Sequence, residues 1–347
     1  MNQTTTFKYS FANDYSELAH PDVLAAMSAV ATKQFEGYGL DEFCDHARGL
    51  IFEKVKSKTA DVHFVSGGTQ ANLIMVAAAL LPHEAVVAAG SGHVSMHETG
   101  AIEATGHKVC TLPGKAGKIC PEGIQEILDA HTDEHMVKPR LVYISQSSEL
   151  GTVYTKAELI ALAGFCHSHG LYLYIDGARL GAALNSPACD LAYQDLASLA
   201  DAFYIGGTKN GAVFGEALVI CREELKKDFR FHLKQRGALL AKGAAIGIQF
   251  SALLSNGLYD RLAQQANASG DKLAKGIKAL GFELFCEAQT NQVFAILPAD
   301  TVLQLHQLYD FLDWQPMGEQ TVVRLVTSWA TPESAVQQLL EDLARLS

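Results

Sequence analysis

Six short runs of aromatic and β-branched residues, at 62–65, 85–89, 141–145, 171–175, 202–206 and 217–221, punctuate the first two thirds of this chain. Segments with helical character, such as 69–81, 121–131 and 156–169, lie between them. Strands alternating with helices of this length predict a mostly parallel sheet, because parallel neighbours need long crossovers and the crossovers coat both faces. The alternation holds from about residue 15 to residue 240. Beyond it, long helical stretches at 236–257 and 259–280 precede strand-like pieces at 282–286, 292–298 and 321–329, and a last helix begins near Glu333. The expectation is an N-terminal arm (1–14), a large α/β domain (15–250) and a smaller C-terminal α+β domain (251–347). At 347 residues the chain exceeds the ~250–300 at which a single core stops growing.

In an open α/β sheet, ligands bind in the crevice outside the carboxyl ends of the strands. Several chemically suggestive residues fall there. Gly67 and Gly68 follow the first run, and a helix begins near Thr69. Glycines let backbone amides approach an anion, Thr69 or Gln70 can add side-chain donors, and the helix terminus favours negative charge. The Walker spacing is absent, and a plain glycine turn with a threonine N-cap explains the same letters. Asp176 ends the run 171–175; its burial demands a partner, which a pyridinium N–H or Arg179 can supply. Arg179 reads either as that partner or as an anchor for an anion. Lys209, set between Gly-Gly-Thr and Asn-Gly, is either a solvated loop lysine or an amine able to form a Schiff base with a carbonyl cofactor. A lysine, an aspartate and a phosphate cradle on one sheet edge are the equipment of a pyridoxal-phosphate enzyme.

His93 follows the run 85–89 and can stack on a ring or act as acid or base near neutral pH; His97 and Glu98 come next. Their spacing lacks the further ligands a zinc site needs, and no metal is expected. Arg324 interrupts an alternating apolar strand. It either grips a carboxylate through a two-pronged hydrogen bond or faces water from an edge strand.

A net charge of −11 without a dense Lys/Arg stripe argues against nucleic acid or an anionic membrane as partner. Apolar stretches fall well short of a membrane span, and the opening residues contain no apolar signal core. Seven cysteines without C-x-x-C pairs suggest reduced thiols and a cytoplasmic setting.

Taken in order, SGGTQANL (66–73), GSGHVSMHETGA (90–101), YIDGARLG (174–181), GGTKNG (206–211) and RLVTSWAT (324–331) resemble the L-threonine aldolase family, in the β-eliminating lyase group of fold-type-I pyridoxal-phosphate enzymes. The resemblance runs from FANDYSE (11–17) to that last segment. It implies a mostly parallel seven-stranded sheet, pyridoxal 5′-phosphate as cofactor, and retro-aldol cleavage of a β-hydroxy amino acid to glycine and an aldehyde. Gly67, Gly68 and Thr69 match the family's phosphate loop, and His93 the histidine over the ring. Asp176 matches the partner of the ring nitrogen, Lys209 the Schiff-base lysine, and Thr208 a phosphate contact. Asn13 stands where a serine near the substrate carboxylate is common, and Arg179 and Arg324 match arginines beside cofactor and substrate. The family implies a homodimer or homotetramer with shared sites, in which Tyr38 and Lys242 are candidates to reach a neighbour's cofactor. One departure stands out. Where many members carry a histidine near 145–155, the closest position here is Glu149, so the base for the substrate hydroxyl is His93 first, with Glu149 and His97 behind. The same cofactor also serves β-elimination, transamination and racemisation, and a non-catalytic phosphate binder is the reading from another class.

Overall fold

The computed structural model describes residues 7–346; the first six residues of the expected arm lie outside the described residues. Its centre is a seven-stranded sheet of β1 (Asp61–Val65), β2 (Glu84–Ala89), β3 (Val109–Leu112), β4 (Lys138–Ser145), β5 (Tyr172–Asp176), β6 (Ala202–Gly206) and β7 (Glu216–Ile220), in spatial order β1-β7-β6-β5-β4-β2-β3. All six anticipated runs are strands. The seventh, β3, is a four-residue edge strand whose inside-outside alternation leaves Thr111 exposed, too short a signal for periodicity to register.

β7 departs from the expected βαβ grammar. It pairs antiparallel with both neighbours, β1 and β6, while the remaining pairings are parallel. Its direction was decided by the connection. Only nine residues (216 − 206 − 1) join β6 to β7, fewer than the dozen or so a parallel crossover needs. The start of β7 therefore lies at the same sheet edge as the carboxyl ends of its neighbours.

Alternate residues feed two cores, as the period of two requires. Val87, Val142, Ile144, Leu173, Ile175 and Phe203 face one side. Tyr143, Tyr174 and Tyr204 face the other, beside Val86, Leu141 and Leu218. The three tyrosines lie on neighbouring strands of one face, which matters for the site.

A second sheet is built from β8 (Glu283–Leu284), β9 (Gln292–Pro298), β10 (Leu312–Met317) and β11 (Gln320–Val326), in order β10-β11-β9-β8. Its own core includes Val293, Leu325, Leu339 and Phe11. The chain's beginning is fastened there. Tyr9–Ser10 pairs in parallel with Tyr309–Asp310, and the Val326 amide donates to the Phe11 carbonyl at 2.8 Å. The helix expected over 236–257 is shorter, running Ala244–Leu254. Gly237 sits at φ 70°, and a Cβ on Gly243 would lie 2.6 Å from the Gly39 nitrogen, so the chain turns tightly there before the helix begins. No helix among the described residues is long and apolar enough to cross a membrane.

Candidate active site

Five loops and the start of β7 converge on one sheet edge. β1 runs out into Ser66-Gly67-Gly68, β5 ends at Asp176, β6 hands on to Gly207-Thr208-Lys209, and β7 enters with Glu216. With His93 after β2 and Glu149 after β4, these segments line a cavity of about 320 Å³, the size of a small-ligand pocket, to which all the residues just named but Gly207 contribute.

One end of the cavity suits an anion. The helix α1 (Gly68–Ala79) opens there with Gly67 as N-cap, and no side chain caps it. The threonine-cap explanation therefore fails. The first amides of a helix lack partners within it, and here no side-chain acceptor competes for them. A Cβ on Gly68 would stand 2.8 Å from the Tyr204 hydroxyl, so the cradle admits only glycine without a shift. Gln70 does not line the cavity. Its Oε1 accepts from the Ser66 amide at 3.0 Å and hydroxyl at 2.8 Å, and its Nε2 donates to the Arg236 carbonyl at 3.3 Å. Its task is to hold the turn.

Asp176 is 3% exposed, and its hydrogen bonds come from neutral donors. The Tyr143 hydroxyl and Asn72 Nδ2 donate to Oδ2, and the Tyr204 hydroxyl and Ala178 amide donate to Oδ1. Burial alone would push the carboxyl up; the Tyr143 and Tyr204 hydrogen bonds, with the Ala178 amide, outweigh it and hold it below the ordinary carboxylate range. Asp176 is a buried anion stabilised by dipoles. The partnership with Arg179 offered by the spacing does not form.

Arg179 instead pairs with Asp14, Nε to Oδ2 at 2.7 Å and Nη2 to Oδ1 at 3.0 Å, with side chains 8% and 2% exposed. Asn291 Nδ2 donates to the same carboxylate at 2.9 Å. Asp14 escaped sequence reasoning because nothing local marks it, although it adjoins Asn13. Asn13 itself closes a local turn, its Oδ1 accepting from the Tyr15 amide and Ser16 hydroxyl. Asp14→Ala would leave the guanidinium buried without its counter-ion. The expected cost is about 3–5 kcal/mol, readable as a lowered urea midpoint at unchanged slope.

Lys209 makes no hydrogen bond or ion pair among the described residues; the nearest ring, Tyr15, is centred 5.9 Å from Nζ. Burial, and the Arg179 charge after it, lower its pKa, which favours the nucleophilic free amine. Arg324 lies on β11, between β10 and β9, so the edge-strand explanation fails. Its Nη2 reaches the Ala12 carbonyl at 3.3 Å, while its Nε is buried without a partner. A substrate carboxylate is the kind of acceptor such a donor lacks.

His93 lines the cavity and His97 is exposed, which separates the two. His93 Nδ1 lies 2.8 Å from Glu98 Oε1, and Asn72 Nδ2 bridges Glu98 Oε1, at 2.7 Å, to Asp176. Burial lowers the imidazole pKa, but the Glu98 hydrogen bond and the charges of Glu149 and Asp176 raise it above its ordinary value. Glu149, 7% exposed, accepts from the Ser145 hydroxyl at 3.3 Å. Tyr38 and Lys242 stand exposed outside this cavity.

This donor set fits pyridoxal phosphate: an open helix terminus for a phosphate, an ionised carboxylate for a ring nitrogen, and a partnerless amine of lowered basicity. The family model described as beta-eliminating lyase matches residues 18–300. The low specificity L-threonine aldolase of Pseudomonas aeruginosa is 31% identical over 346 residues, covering 98% of each chain. A threonine aldolase structure from Leishmania major superposes with a TM-score of 0.96 at 47% identity, covering 97% of this chain and 99% of that one. Aspartate aminotransferase from Thermus thermophilus, at 18% identity and TM-score 0.73 over 99% of this chain and 93% of its own, shares the fold.

Proposed function

Since the chain belongs to the beta-eliminating lyase family, we propose that it cleaves L-threonine, or a related β-hydroxy amino acid, to glycine and an aldehyde with pyridoxal 5′-phosphate as cofactor. The observation that carries this reading is Asp176, a buried carboxylate kept ionised chiefly by the hydrogen bonds of hydroxyl and backbone amide donors, in one cavity with the Lys209 amine. An anion so placed serves a cationic ring N–H, which the protein's own side chains do not provide.

When bound, pyridoxal phosphate supplies a conjugated ring that accepts the electron pair left on Cα as a bond to that carbon breaks. Lys209 would hold it covalently, Asp176 at the ring nitrogen, the α1 terminus at the phosphate, and His93 over the ring. Arg324 and Arg179 fix the substrate carboxylate, and fixing it selects which bond at Cα is oriented for cleavage. His93, or Glu149 across the cavity, takes the β-hydroxyl proton as the Cα–Cβ bond breaks, and the β-carbon leaves as an aldehyde. Lys209 is the group suited to return a proton to Cα, which yields glycine.

The same reading places the chain in the cytosol, as a homodimer or homotetramer. All seven cysteines are free, which supports a reducing compartment. Tyr38 and Leu40, together with the 75%-exposed Phe231, form an apolar patch suited to a second copy.

Cofactor-loaded protein is expected to release acetaldehyde from L-threonine and not from D-threonine, read by a coupled reductase. Covalent attachment of the cofactor with silence on L-threonine would keep the cofactor assignment and reject threonine. Release of ammonia and a keto acid instead would redirect the reading to β-elimination.

A further inference from the structure

Among the described residues, Glu216 is the one carboxylate lining the cavity for which the mechanism has no use. It begins β7, in register with Val65 on one side and Gly206 on the other. It therefore stands between the strand that feeds the phosphate cradle and the strand that feeds Lys209. A carboxylate is an unexpected neighbour for a phosphate, because like charges at close range disfavour each other.

Its hydrogen bonds give it a second consequence. Glu216 Oε2 accepts from the Gly207 amide at 2.8 Å, and Oε1 accepts from the Thr208 hydroxyl at 2.8 Å. The Thr208 hydroxyl in turn accepts from the Gly215 amide at 3.0 Å, which closes the loop between β6 and β7. A hydroxyl has one proton to give and two lone pairs. While Glu216 is ionised, that proton is committed, and Thr208 offers an incoming phosphate only a lone pair.

We propose that Glu216 and Thr208 form a proton-gated donor for the cofactor phosphate: Glu216 takes up one proton from solvent, donates it in a hydrogen bond to the Thr208 oxygen, and so releases the Thr208 hydroxyl to donate to the phosphate. Atoms balance with a single proton gained, and both backbone amides keep their acceptors. This rests on the pyridoxal-phosphate reading and specifies how the phosphate end recognises its ligand.

The surroundings suit such a switch. Burial pushes the Glu216 carboxyl up to about 7, against the pull of Thr208, the Gly207 amide and the Lys209 charge, and Asp176 adds to the rise. The other titratable groups coupled to it are the hydroxyls of Tyr174, Tyr204 and Tyr259, whose pKa values are raised and which stay neutral here. Bringing a phosphate beside Glu216 raises its pKa further. The sign follows: below about 7 the acid form is already present, and above it each binding event must draw in a proton, so affinity falls as pH rises until the higher, liganded pKa is passed.

The probe is pyridoxine 5′-phosphate, whose alcohol cannot bond to Lys209, so titration of that amine does not enter through covalent attachment. Its affinity is measured from about pH 6.5 to about pH 8.5 for wild type and Glu216→Gln, with calorimetry in buffers of different ionisation enthalpy. Glutamine reproduces the protonated acid, accepting from Gly207 and donating to Thr208. At the upper pH, Glu216→Gln is expected to bind about tenfold or more tightly than wild type, the two converging at the lower pH. Wild type should take up close to one proton more per binding event at high pH than the variant does. Thr208→Val, with no hydroxyl, should bind about tenfold more weakly at the lower pH. Identical pH profiles and proton counts in wild type and Glu216→Gln would overturn the gate while leaving the cofactor reading in place, as would full affinity in Thr208→Val. Failure of every protein to bind the probe would overturn both.

Discussion

Lys209→Ala is expected to lower cleavage of L-threonine by at least about 10²–10⁴-fold, the range associated with loss of one positioned acid–base group, and to lose covalent attachment of the cofactor as well. The variant should fold normally. The Lys209 amine has no hydrogen-bond or ion-pair partner among the described residues, so its removal orphans no buried group. It removes the like-charge repulsion with Arg179 along with the attraction of Asp14, Glu149 and Asp176. Two measurements separate the roles. Borohydride treatment of loaded wild-type protein should add the reduced cofactor's mass to the peptide containing Lys209, and the variant should show none. Turnover within tenfold of wild type, with the adduct found elsewhere, would sink the assignment.

For Asp176→Asn the expectation is a fall in kcat of about 10²–10³-fold, as for removal of one preorganised partner of a developing charge. The amide is neutral, so nothing holds a proton on the ring nitrogen against a low-dielectric surrounding. The substitution also points an N–H₂ at a site filled with donors, the hydroxyls of Tyr143 and Tyr204, the Ala178 amide and Asn72. Some loss of thermal stability therefore accompanies it. The discriminating quantity is kcat at saturating cofactor, with the absorbance of the bound cofactor recorded in parallel. An unchanged kcat together with a lowered melting temperature would make Asp176 a structural residue.

Much of this site is legible in the letters because its chemistry is tied to chain position. Asp176, Lys209 and the Gly67-Gly68 turn each follow an apolar run, and the sheet architecture carries such residues to one edge. What could not be read from local pattern falls into three physical kinds. Asp14 and Arg179 meet across 165 positions, and no periodicity reports so distant a pairing. The shell around Asp176 draws Tyr143, Tyr204 and Asn72 from two strands and a helix; each looks like an ordinary apolar or helical residue until the strands are set side by side. Glu216 was hidden by strand direction, since a run read as one more parallel strand places its first residue at the far edge. The connection of nine residues was the available clue (216 − 206 − 1). Gln70 errs in the opposite sense: its place in a glycine-rich loop suggests a ligand contact, and its side chain is spent on the loop itself.

The fastening of Tyr9–Ser10 to Tyr309–Asp310 has a temporal consequence. On a ribosome the chain emerges from its first residue, and this segment has no partner until some 300 residues later have been made. The Gly67-Gly68 turn, Asp176, Lys209 and Glu216 all precede residue 221, whereas Phe250 and Tyr259, which pack on and hydrogen-bond the Lys209 loop, are made later. Arg324 and the strand that seats Phe11 come only near the finish. The order of manufacture thus sets the residues proposed for the cofactor ahead of the arginine proposed for the substrate carboxylate, and the two come together only when the chain's beginning is fastened to its late strands.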